Sequence, residues 1–239
     1  MENEKKKGLN TNSNVYTIVY SAILVIIVAF LLAFVSKALE EKQGQNVALD
    51  KKKQILYALN IRDLDDALAE QKYKEVVKSD DVIGEPKAEG NENHGFKLNN
   101  SDFKQGKLAV YTCEVEGETK YVIPVYGMGL WGGISGYVAL NADKSTVFGA
   151  YFNHEGETAG LGAEIKDDVN WQKKFIGKKL FKEGNDEIAL SVVKNVDDEA
   201  TQVDAVTGAT LTSDGVSLML KDCLGKYKEF FKSEGGVAL

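Results

Sequence analysis

Four hydroxyl side chains surround the dipeptide Gly208-Ala209 in the stretch DAVTGATLTS, residues 204–213. No histidine lies within this stretch, so these alcohols have no local base that could turn one of them into a nucleophile. Hydroxyls placed just before an apolar-periodic segment are most often helix caps. On this stretch alone, the sequence favours a cap.

Cysteine and histidine offer few other routes to chemistry. The chain contains two cysteines, Cys113 and Cys223, and two histidines, His94 and His154, with no C-x-x-C pair and no His/Cys cluster. This pattern argues against a zinc site or an iron–sulfur cluster, and it predicts neither a metal site nor a catalytic residue. Both cysteines lie among apolar residues, so we expect buried free thiols.

A glycine-rich hexapeptide, GMGLWG at residues 127–132, satisfies the pattern G-x-G-x-x-G. A dinucleotide-binding fingerprint requires a helix directly after the glycines, but GISGYVAL follows and is typical of a strand. The sequence therefore predicts a turn between two strands. Leu130 and Trp131 are unusual in such a turn, and they could lie against a planar ligand.

Composition limits the class of protein. The 239 residues carry a net charge of −7, with 44% apolar and 27% charged residues, which is a globular composition. Lysine and arginine are spread along the chain rather than concentrated on one segment, which disfavours a nucleic-acid binder. The length allows one domain of ordinary size with accessory segments.

The segment from Val15 to Val35 contains no charged residue and is flanked by lysines on both sides. About 20 apolar residues in a helix span the roughly 30 Å hydrocarbon core of a bilayer. A cleaved signal peptide would have a shorter apolar core, and SKALEE is a poor cleavage site. We therefore predict an uncleaved transmembrane helix over 15–35, whose orientation the lysine count does not decide.

The remainder of the chain predicts a mixed α+β domain. Residues 36–78 are predicted to be helical, with Asp63 as the N-cap of a second helix, and residues 79–107 to be an exposed loop. Further predicted elements are a hairpin turning at Glu116-Gly117, strands on either side of Ala142–Lys144, a helix over 167–176, a strand over 187–194 and a helix over 212–232. Apolar residues recur at helical spacing along the last of these, which predicts a core-facing stripe of Val216, Met219, Leu220, Cys223, Leu224, Tyr227, Phe230 and Phe231.

Three stretches together resemble one known family. They are YGMGLWGGISGYVAL (126–140), NHEGETAGLGAEI (153–165) and QVDAVTGATLTSDGV (202–216). They are similar to the FMN-binding domain found in the C subunit of the sodium-translocating NADH:quinone reductase and in its relative, the G subunit of the Rnf complex. The helix NVALDKKKQIL after the apolar segment favours the sodium pump.

The resemblance implies a single transmembrane helix followed by one soluble mixed α+β FMN-binding domain. The boundaries it suggests are a cytoplasmic N-terminus over 1–14, the membrane helix over 15–35, a helical connector packed on the domain over 36–78, and the FMN-binding domain over 79–239. It places the chain in a bacterial inner membrane, with the N-terminus cytoplasmic and the flavin domain periplasmic.

The family motif D-x-x-[ST]-G-A-[TS] corresponds to DAVTGAT here. The resemblance implies covalent FMN, attached by a phosphoester to Thr210, and recognition by a flavin transferase of Asp204, Thr207, Gly208 and Ala209. An anionic phosphate at a helix N-terminus is physically favourable, and Gly208 can adopt a positive φ. The sequence departs from the commoner pattern at Thr207, where serine is frequent, and at Ala159, where proline is usual.

Other residues of these stretches are predicted to contact the flavin. They are Thr207, Gly208, Ala209, Leu211, Thr212, Leu130, Trp131, Glu157, Thr158, Gly160, Leu161 and Gly162. A carboxylate such as that of Glu157 would disfavour anionic forms of a neighbouring flavin, and the sequence does not settle its role. We expect His154 to be a solvated loop residue.

By resemblance, the chain is a one-electron carrier within a six-subunit complex of the membrane. It would receive electrons from a membrane iron–sulfur centre and pass them to the FMN of the B subunit, on the way from NADH to ubiquinone or menaquinone, with the B, D and E subunits as main partners. NADH would bind another subunit, and sodium export would belong to the complex. Two alternatives remain: the G subunit of an Rnf ferredoxin:NAD oxidoreductase, and a non-redox membrane-tethered binding or assembly domain.

Overall fold

The computed structural model describes residue 11 and residues 13–85 and 94–233. The chain divides into two compact units, Met1–Ala48 and Leu49–Leu239. Most of the predicted cytoplasmic N-terminus, 1–14, lies outside the described residues.

The first unit is dominated by helix α1, which runs without interruption from Asn14 to Ala58 and so continues into the second unit. Its apolar residues are largely exposed, for example Val15 at 72% and Phe30 at 71%. Within the described residues, α1 is the one helix long and apolar enough to cross a membrane. An apolar surface of this size is consistent with membrane anchoring.

The second unit is built on one five-stranded sheet, in which every neighbouring pair is antiparallel and the spatial order is the chain order. The strands are β1 (Val77–Val82), β2 (Ala109–Val115), β3 (Glu118–Met128), β4 (Gly133–Asn141) and β5 (Val147–His154). Glu116 and Gly117 both have positive φ, which matches the predicted hairpin turn between β2 and β3. The predicted turn after β4 is also confirmed, and Asp143 accepts hydrogen bonds from the amides of Ser145 and Thr146.

Helices cover both faces of the sheet. After α1 come α2 (Asp66–Val76), α3 (His94–Lys97), α4 (Asn100–Lys104), α5 (Glu164–Asp167), α6 (Val169–Lys173), α7 (Thr210–Leu224) and α8 (Lys228–Lys232). Since side chains alternate along a strand, β2 sends Tyr111 to one face and Val110 to the other. The first face packs against the end of α1 and α2, and the second against α6 and α7. The predicted α+β class is therefore confirmed.

The apolar stripe predicted for the last helix is buried in the core, except that Phe231 is only partly buried. The predicted helix starts two residues late and is interrupted, although its predicted last residue, Lys232, is where α8 ends. The helix begins at Thr210 rather than at residue 212, and a 3-10 turn over Gly225–Tyr227 separates it from α8. Of the strand predicted over 187–194, only β6 (Ser191–Val193) forms, paired in parallel with β7 (Gln202–Asp204).

Two further predictions require correction. The N-cap of α2 is Asp65, whose side chain accepts a hydrogen bond from the Leu68 amide at 2.8 Å, whereas Asp63 has φ 61° and lies in the preceding turn. The region 79–107 contains most of β1 together with α3 and α4, and residues 86–93 fall outside the described part. Because β1 is an edge strand carrying Ser79, Asp80 and Asp81, its polarity resembles that of a loop.

Candidate functional site

Three segments distant in sequence meet at the edge where β3 and β5 end and β4 begins. They are the turn between β3 and β4, the loop after β5, and the start of α7. The turn is tight, since Met128 pairs with Gly133 and the Gly129 amide donates to the Gly132 carbonyl at 2.8 Å. A strand follows the glycines, so GMGLWG is a hairpin turn, as the sequence predicts.

The carboxylate of Glu157 joins all three segments. Its Oε1 accepts a hydrogen bond from the Trp131 amide at 2.9 Å, and its Oε2 accepts one from Thr212 Oγ1 at 2.6 Å. Glu157 is only 7% exposed, and Thr212 is 2% exposed. Burial raises the pKa of Glu157, but hydrogen bonds from Thr212 and from the amides of Trp131 and Gly132 outweigh it and hold the pKa below its usual value.

The glycines of the first two segments make room for this carboxylate. A Cβ at Gly129 would lie 2.5 Å from Glu157 Oε1, and one at Gly162 would lie 2.5 Å from Oε2 and 2.6 Å from Thr212 Oγ1. Real Cβ atoms essentially never approach so closely, so either side chain would displace the carboxylate. The glycine pattern that resembles a nucleotide fingerprint thus accommodates a buried glutamate.

The start of α7 leaves backbone donors available. Its N-cap residue, Ala209, makes no side-chain cap hydrogen bond, and the first intrahelical bond runs from the Ser213 amide to the Ala209 carbonyl at 2.9 Å. The amides of Thr210, Leu211 and Thr212 therefore have no acceptor within the helix, as at any helix N-terminus. Gly208 has φ 76°, which turns the chain into the helix. This geometry suits an anion such as a phosphate.

Exposed apolar side chains stand near this helix start. Leu130, Trp131, Leu161 and Leu211 are 47%, 70%, 43% and 60% exposed. Leu161 lies directly against the loop before α7, because a Cβ at Gly208 would be 2.8 Å from Leu161 Cδ2. Apolar groups gathered beside a phosphate-type site suit an aromatic ligand with a phosphate tail.

Sequence reasoning did not single out Met128, which is also exposed and belongs to the same surface. Its backbone carbonyl occupies the space that a Cβ on Gly215 would need, so the β3–β4 turn rests directly on α7. The sequence signal that could have identified Met128 is its position as an apolar residue between two glycines, Gly127 and Gly129.

Asp204, by contrast, faces α6 and the residue after it. Its carboxylate forms an ion pair with Lys174 Nζ at 2.7 Å, and its carbonyl accepts a hydrogen bond from Trp171 Nε1 at 2.8 Å. Sequence reasoning assigned no role to Trp171 or Lys174, although both belong to the stretch WQKK. They fix the chain just before the hydroxyl-rich stretch.

The remaining residues predicted to contact the flavin are exposed or shape the loop after β5. Thr207 and Thr158 are exposed, and the Thr158 carbonyl accepts from the amides of Leu161 and Ala163, with Gly160 at φ 72° between them. His154 is a half-buried residue at the end of β5, and its Nδ1 accepts from the Glu157 amide at 3.2 Å, so the expectation of a solvated loop residue is wrong.

The two cysteines lie outside this site's walls. Cys113 and Cys223 are both buried and free, as the sequence predicts. Burial raises the pKa of the Cys113 thiol to about 12, so this thiol stays protonated at neutral pH.

Comparison with known proteins shows which class of ligand-binding domain contains this site. Residues 129–225 match the model of the FMN-binding domain family, and this range contains all three segments of the site. The described apolar surface and helix N-terminus fit the ring and the phosphate of FMN. The class that the fold and site define is an FMN-binding domain.

Relatives narrow the class further. The crystal structure of the C subunit of the Na(+)-translocating NADH-quinone reductase from Parabacteroides distasonis is 36% identical and superimposes with a TM-score of 0.74, over 82% of this chain and 98% of that one. The protein of the same name from Haemophilus ducreyi is 42% identical over 56% of this chain and 53% of its own length. The Vibrio anguillarum protein of that name is 29% identical over 87% of this chain and 89% of its own length.

The chain belongs to the family formed by the C subunits of the Na(+)-translocating NADH-quinone reductases. The alignment with the first of the curated relatives covers about half of that relative's length. All three relatives are named as the C subunit of this reductase, which favours the sodium pump over the Rnf alternative.

Proposed function

We propose that this chain is a membrane-anchored electron carrier that holds FMN covalently, through a phosphoester to Thr210 Oγ1. The observation that carries the proposal is the placement of Thr210. It is exposed and is the first residue of a 15-residue helix whose start lacks a side-chain cap. Exposed apolar side chains stand beside it.

The residues around Thr210 would hold the two ends of the cofactor. The first-turn amides of α7 would donate to the phosphate oxygens, and the positive end of the helix dipole favours the remaining negative charge. Leu130, Trp131, Leu161 and Leu211 would cover the ring and exclude water from it. When bound, FMN supplies one-electron transfer.

No histidine lies near Thr210 in the sequence to activate its hydroxyl, so we assign the attachment to a second protein. We propose that a flavin transferase cleaves the pyrophosphate bond of FAD, forms the phosphoester to Thr210 Oγ1 and releases AMP and the hydroxyl proton. Asp204, Thr207, Gly208 and Ala209 would form its recognition surface. Thr207 and Gly208 are exposed, as is Asp204, which suits that role, while Ala209 is buried.

The family relationship supports a wider proposal. The chain would act in a complex with the B, D and E subunits, taking electrons from a membrane iron–sulfur centre and passing them to the FMN of the B subunit, between NADH and a quinone. NADH would bind elsewhere, and the complex would export sodium. The name that the relatives share refers to NADH, quinone and sodium translocation, which supports this assignment.

The proposed topology places residues 1–14 in the cytoplasm, 15–35 in the membrane, 36–78 as a connector and 79–239 as a periplasmic flavin domain. The exposed apolar length of α1 supports the membrane span. Protease added to spheroplasts should degrade the flavin domain, and resistance without detergent would contradict the orientation.

The attachment is tested by co-expressing the full chain with a flavin transferase. The denatured wild-type protein should fluoresce as flavin on a gel and gain the mass of FMN less one water. Thr210→Val should lose both signals, because it removes the only oxygen the ester can use at that position. Thr210→Ser is the matched control, since it keeps a hydroxyl and should remain flavinylated.

Fluorescence that persists in Thr210→Val would move the attachment to another residue. A wild-type protein that stays colourless would contradict the redox function altogether. It would then favour the alternative of a membrane-tethered assembly domain.

A further inference from the structure

We infer that Glu157 is a positioning residue rather than a group that contacts the flavin. Its carboxylate holds the β3–β4 turn, which carries Leu130 and Trp131, against the start of α7, where the phosphate would bind. The inference rests on the proposed function for its flavin-dependent part. It deepens that proposal, because it identifies one buried carboxylate that connects the residues proposed to cover the flavin ring with the helix start proposed to bind the phosphate.

The first argument is geometric. One oxygen of Glu157 holds the amide of Trp131 in the β3–β4 turn, and the other holds the hydroxyl of Thr212 in the first turn of α7. The two anchored residues are 81 positions apart in the chain, and each is next to a residue of the apolar wall, Leu130 or Leu211. Glu157 therefore links the wall to the helix N-terminus through its side chain, beside the direct backbone contact of Met128 with Gly215.

The second argument is burial. Glu157 and Thr212 are 7% and 2% exposed, so their polar atoms are directed at each other and not at a surface where a ligand would lie. Gly129 and Gly162 close the space around the carboxylate, since a Cβ at either position would lie 2.5 Å from one of its oxygens. Two glycines dedicated to one carboxylate indicate a built site rather than a chance contact.

The third argument concerns charge. Two titratable side chains lie close to Glu157 in the chain: His154, whose Nδ1 accepts from the Glu157 amide, and the exposed Glu155, whose carboxylate accepts from the Gly133 amide at 3.2 Å. Hydrogen bonds to an ionised acceptor are stronger than those to a neutral one, so the hydrogen bonds from Trp131 and Thr212 are strongest when Glu157 is ionised. A fixed negative charge between the walls also opposes the addition of an electron to a flavin bound there.

The hydrogen bond from the Trp131 amide to Glu157 can be followed by NMR in the flavin-free full chain in detergent micelles. The sequence contains two tryptophans, so selective ¹⁵N-tryptophan labelling gives two backbone amide signals. The Trp131 amide donates to Glu157, whereas the Trp171 amide donates to Asp168, so its signal is a reference for substitutions at Glu157 or Thr212, which leave Asp168 in place. In the wild type, the Trp131 signal should shift on acidification as Glu157 becomes protonated.

Glu157→Gln should move the Trp131 signal at neutral pH and abolish this titration, while the Trp171 signal stays in place. Thr212→Val removes one hydrogen bond to the carboxylate and should raise the titration midpoint, and Thr212→Ser should restore it. This pair keeps the test usable if Glu157→Gln does not fold. A Trp131 titration unchanged in Thr212→Val would overturn the inference.

The flavin-loaded protein supplies the second readout. Glu157→Gln should shift the flavin midpoint potential to a more positive value and alter the visible flavin spectrum, because both the charge and the wall geometry change. Glu199→Gln is the control: it removes an exposed carboxylate of the same charge outside the three segments of the site and should leave the flavin spectrum unchanged.

The outcomes separate the two proposals. A colourless wild type overturns the proposed function, whereas a normal flavin spectrum and potential in Glu157→Gln overturn the positioning role and leave the attachment to Thr210 intact. A changed spectrum in Glu157→Gln together with the Trp131 response supports both.

Discussion

The four hydroxyls of DAVTGATLTS differ in what their side chains contact. Thr212 donates to Glu157, and Ser213 Oγ accepts a hydrogen bond from the Val206 amide at 3.1 Å. Both are buried, whereas Thr207 and Thr210 are exposed. Of the exposed pair, only Thr210 belongs to α7 and stands beside its first-turn amides. Its accessibility is what a modifying enzyme needs.

At the residue scale, Gly208 should be sensitive to a single methyl group. Its φ of 76° is unfavourable for alanine by about 1–2 kcal/mol, and the added Cβ would lie 2.8 Å from Leu161 Cδ2. We expect Gly208→Ala to lower the free energy of unfolding by about that amount in chemical denaturation, and to reduce flavin incorporation by shifting Leu161.

Gly156→Ala is the control for this prediction, because a Cβ there meets no atom within 4 Å and φ is not in the left-handed region. It should leave both stability and incorporation near the wild-type level. Equal effects of the two substitutions would show that the conformation of Gly208 is not special.

At the element scale, periodic segments could be predicted and their ends could not. The apolar stripe of α7 follows from helical spacing, but the helix breaks at Gly225–Tyr227 with Gly225 itself at φ −57°, so no left-handed glycine marks the interruption. The predicted start of α7 was two residues late, because the hydroxyls suggested a side-chain cap. The helix in fact begins at Thr210, and its N-cap residue, Ala209, has no side chain that can accept a capping hydrogen bond. Caps depend on single conformations that sequence patterns leave open.

The corrected N-cap of α2 gives a prediction for this scale. Asp65→Ala removes the hydrogen bond to the Leu68 amide and should lower the free energy of unfolding by about 0.5–2 kcal/mol. Asp65→Asn keeps a capping oxygen and should cost much less. Urea unfolding of the full chain in detergent measures both, and a loss as large in Asp65→Asn would contradict the cap.

At the scale of the whole molecule, the site depends on contacts that no local pattern encodes. The sequence indicated the residues of all three segments through resemblance, but not that Glu157 would bind Trp131 and Thr212, because those hydrogen bonds follow from strand register and helix packing. The pairing of Asp204 with Lys174 is equally non-local. It lies at the surface, where such pairs contribute about 0–1 kcal/mol, so it orients the segment more than it stabilises the fold.

Burial of ionisable groups across the second unit predicts loss of stability at alkaline pH. The pKa of Cys113 is raised by burial to about 12, against about 8.5 in an unfolded chain. Above pH about 8.5 the unfolded state therefore binds fewer protons than the folded state, and stability falls as pH rises. Cys223 and Tyr111, whose pKa values burial also raises, act in the same direction.

Lys51 acts in the opposite direction. Its Nζ donates to the Phe96 and Leu98 carbonyls, and burial lowers its pKa to about 8, so between about pH 8 and 10 the unfolded state binds the additional proton and stability rises. Lys144, whose pKa burial also lowers, acts in the same direction as Lys51, so two lysines oppose the two thiols, and the buried tyrosines add to the decline above pH about 10. We therefore expect a net decline, measured by urea unfolding in detergent from pH 7.5 to 10.5 or so.

Two variants separate these contributions. Cys113→Ala removes a thiol that must stay protonated, so its stability should fall less steeply above pH about 8.5, by up to about 1.4 kcal/mol per pH unit. Lys51→Met removes the opposing contribution, so its stability should fall more steeply between about pH 8 and 10. Parallel curves for all three proteins would show that these groups titrate alike in the folded and unfolded chain, contrary to their burial.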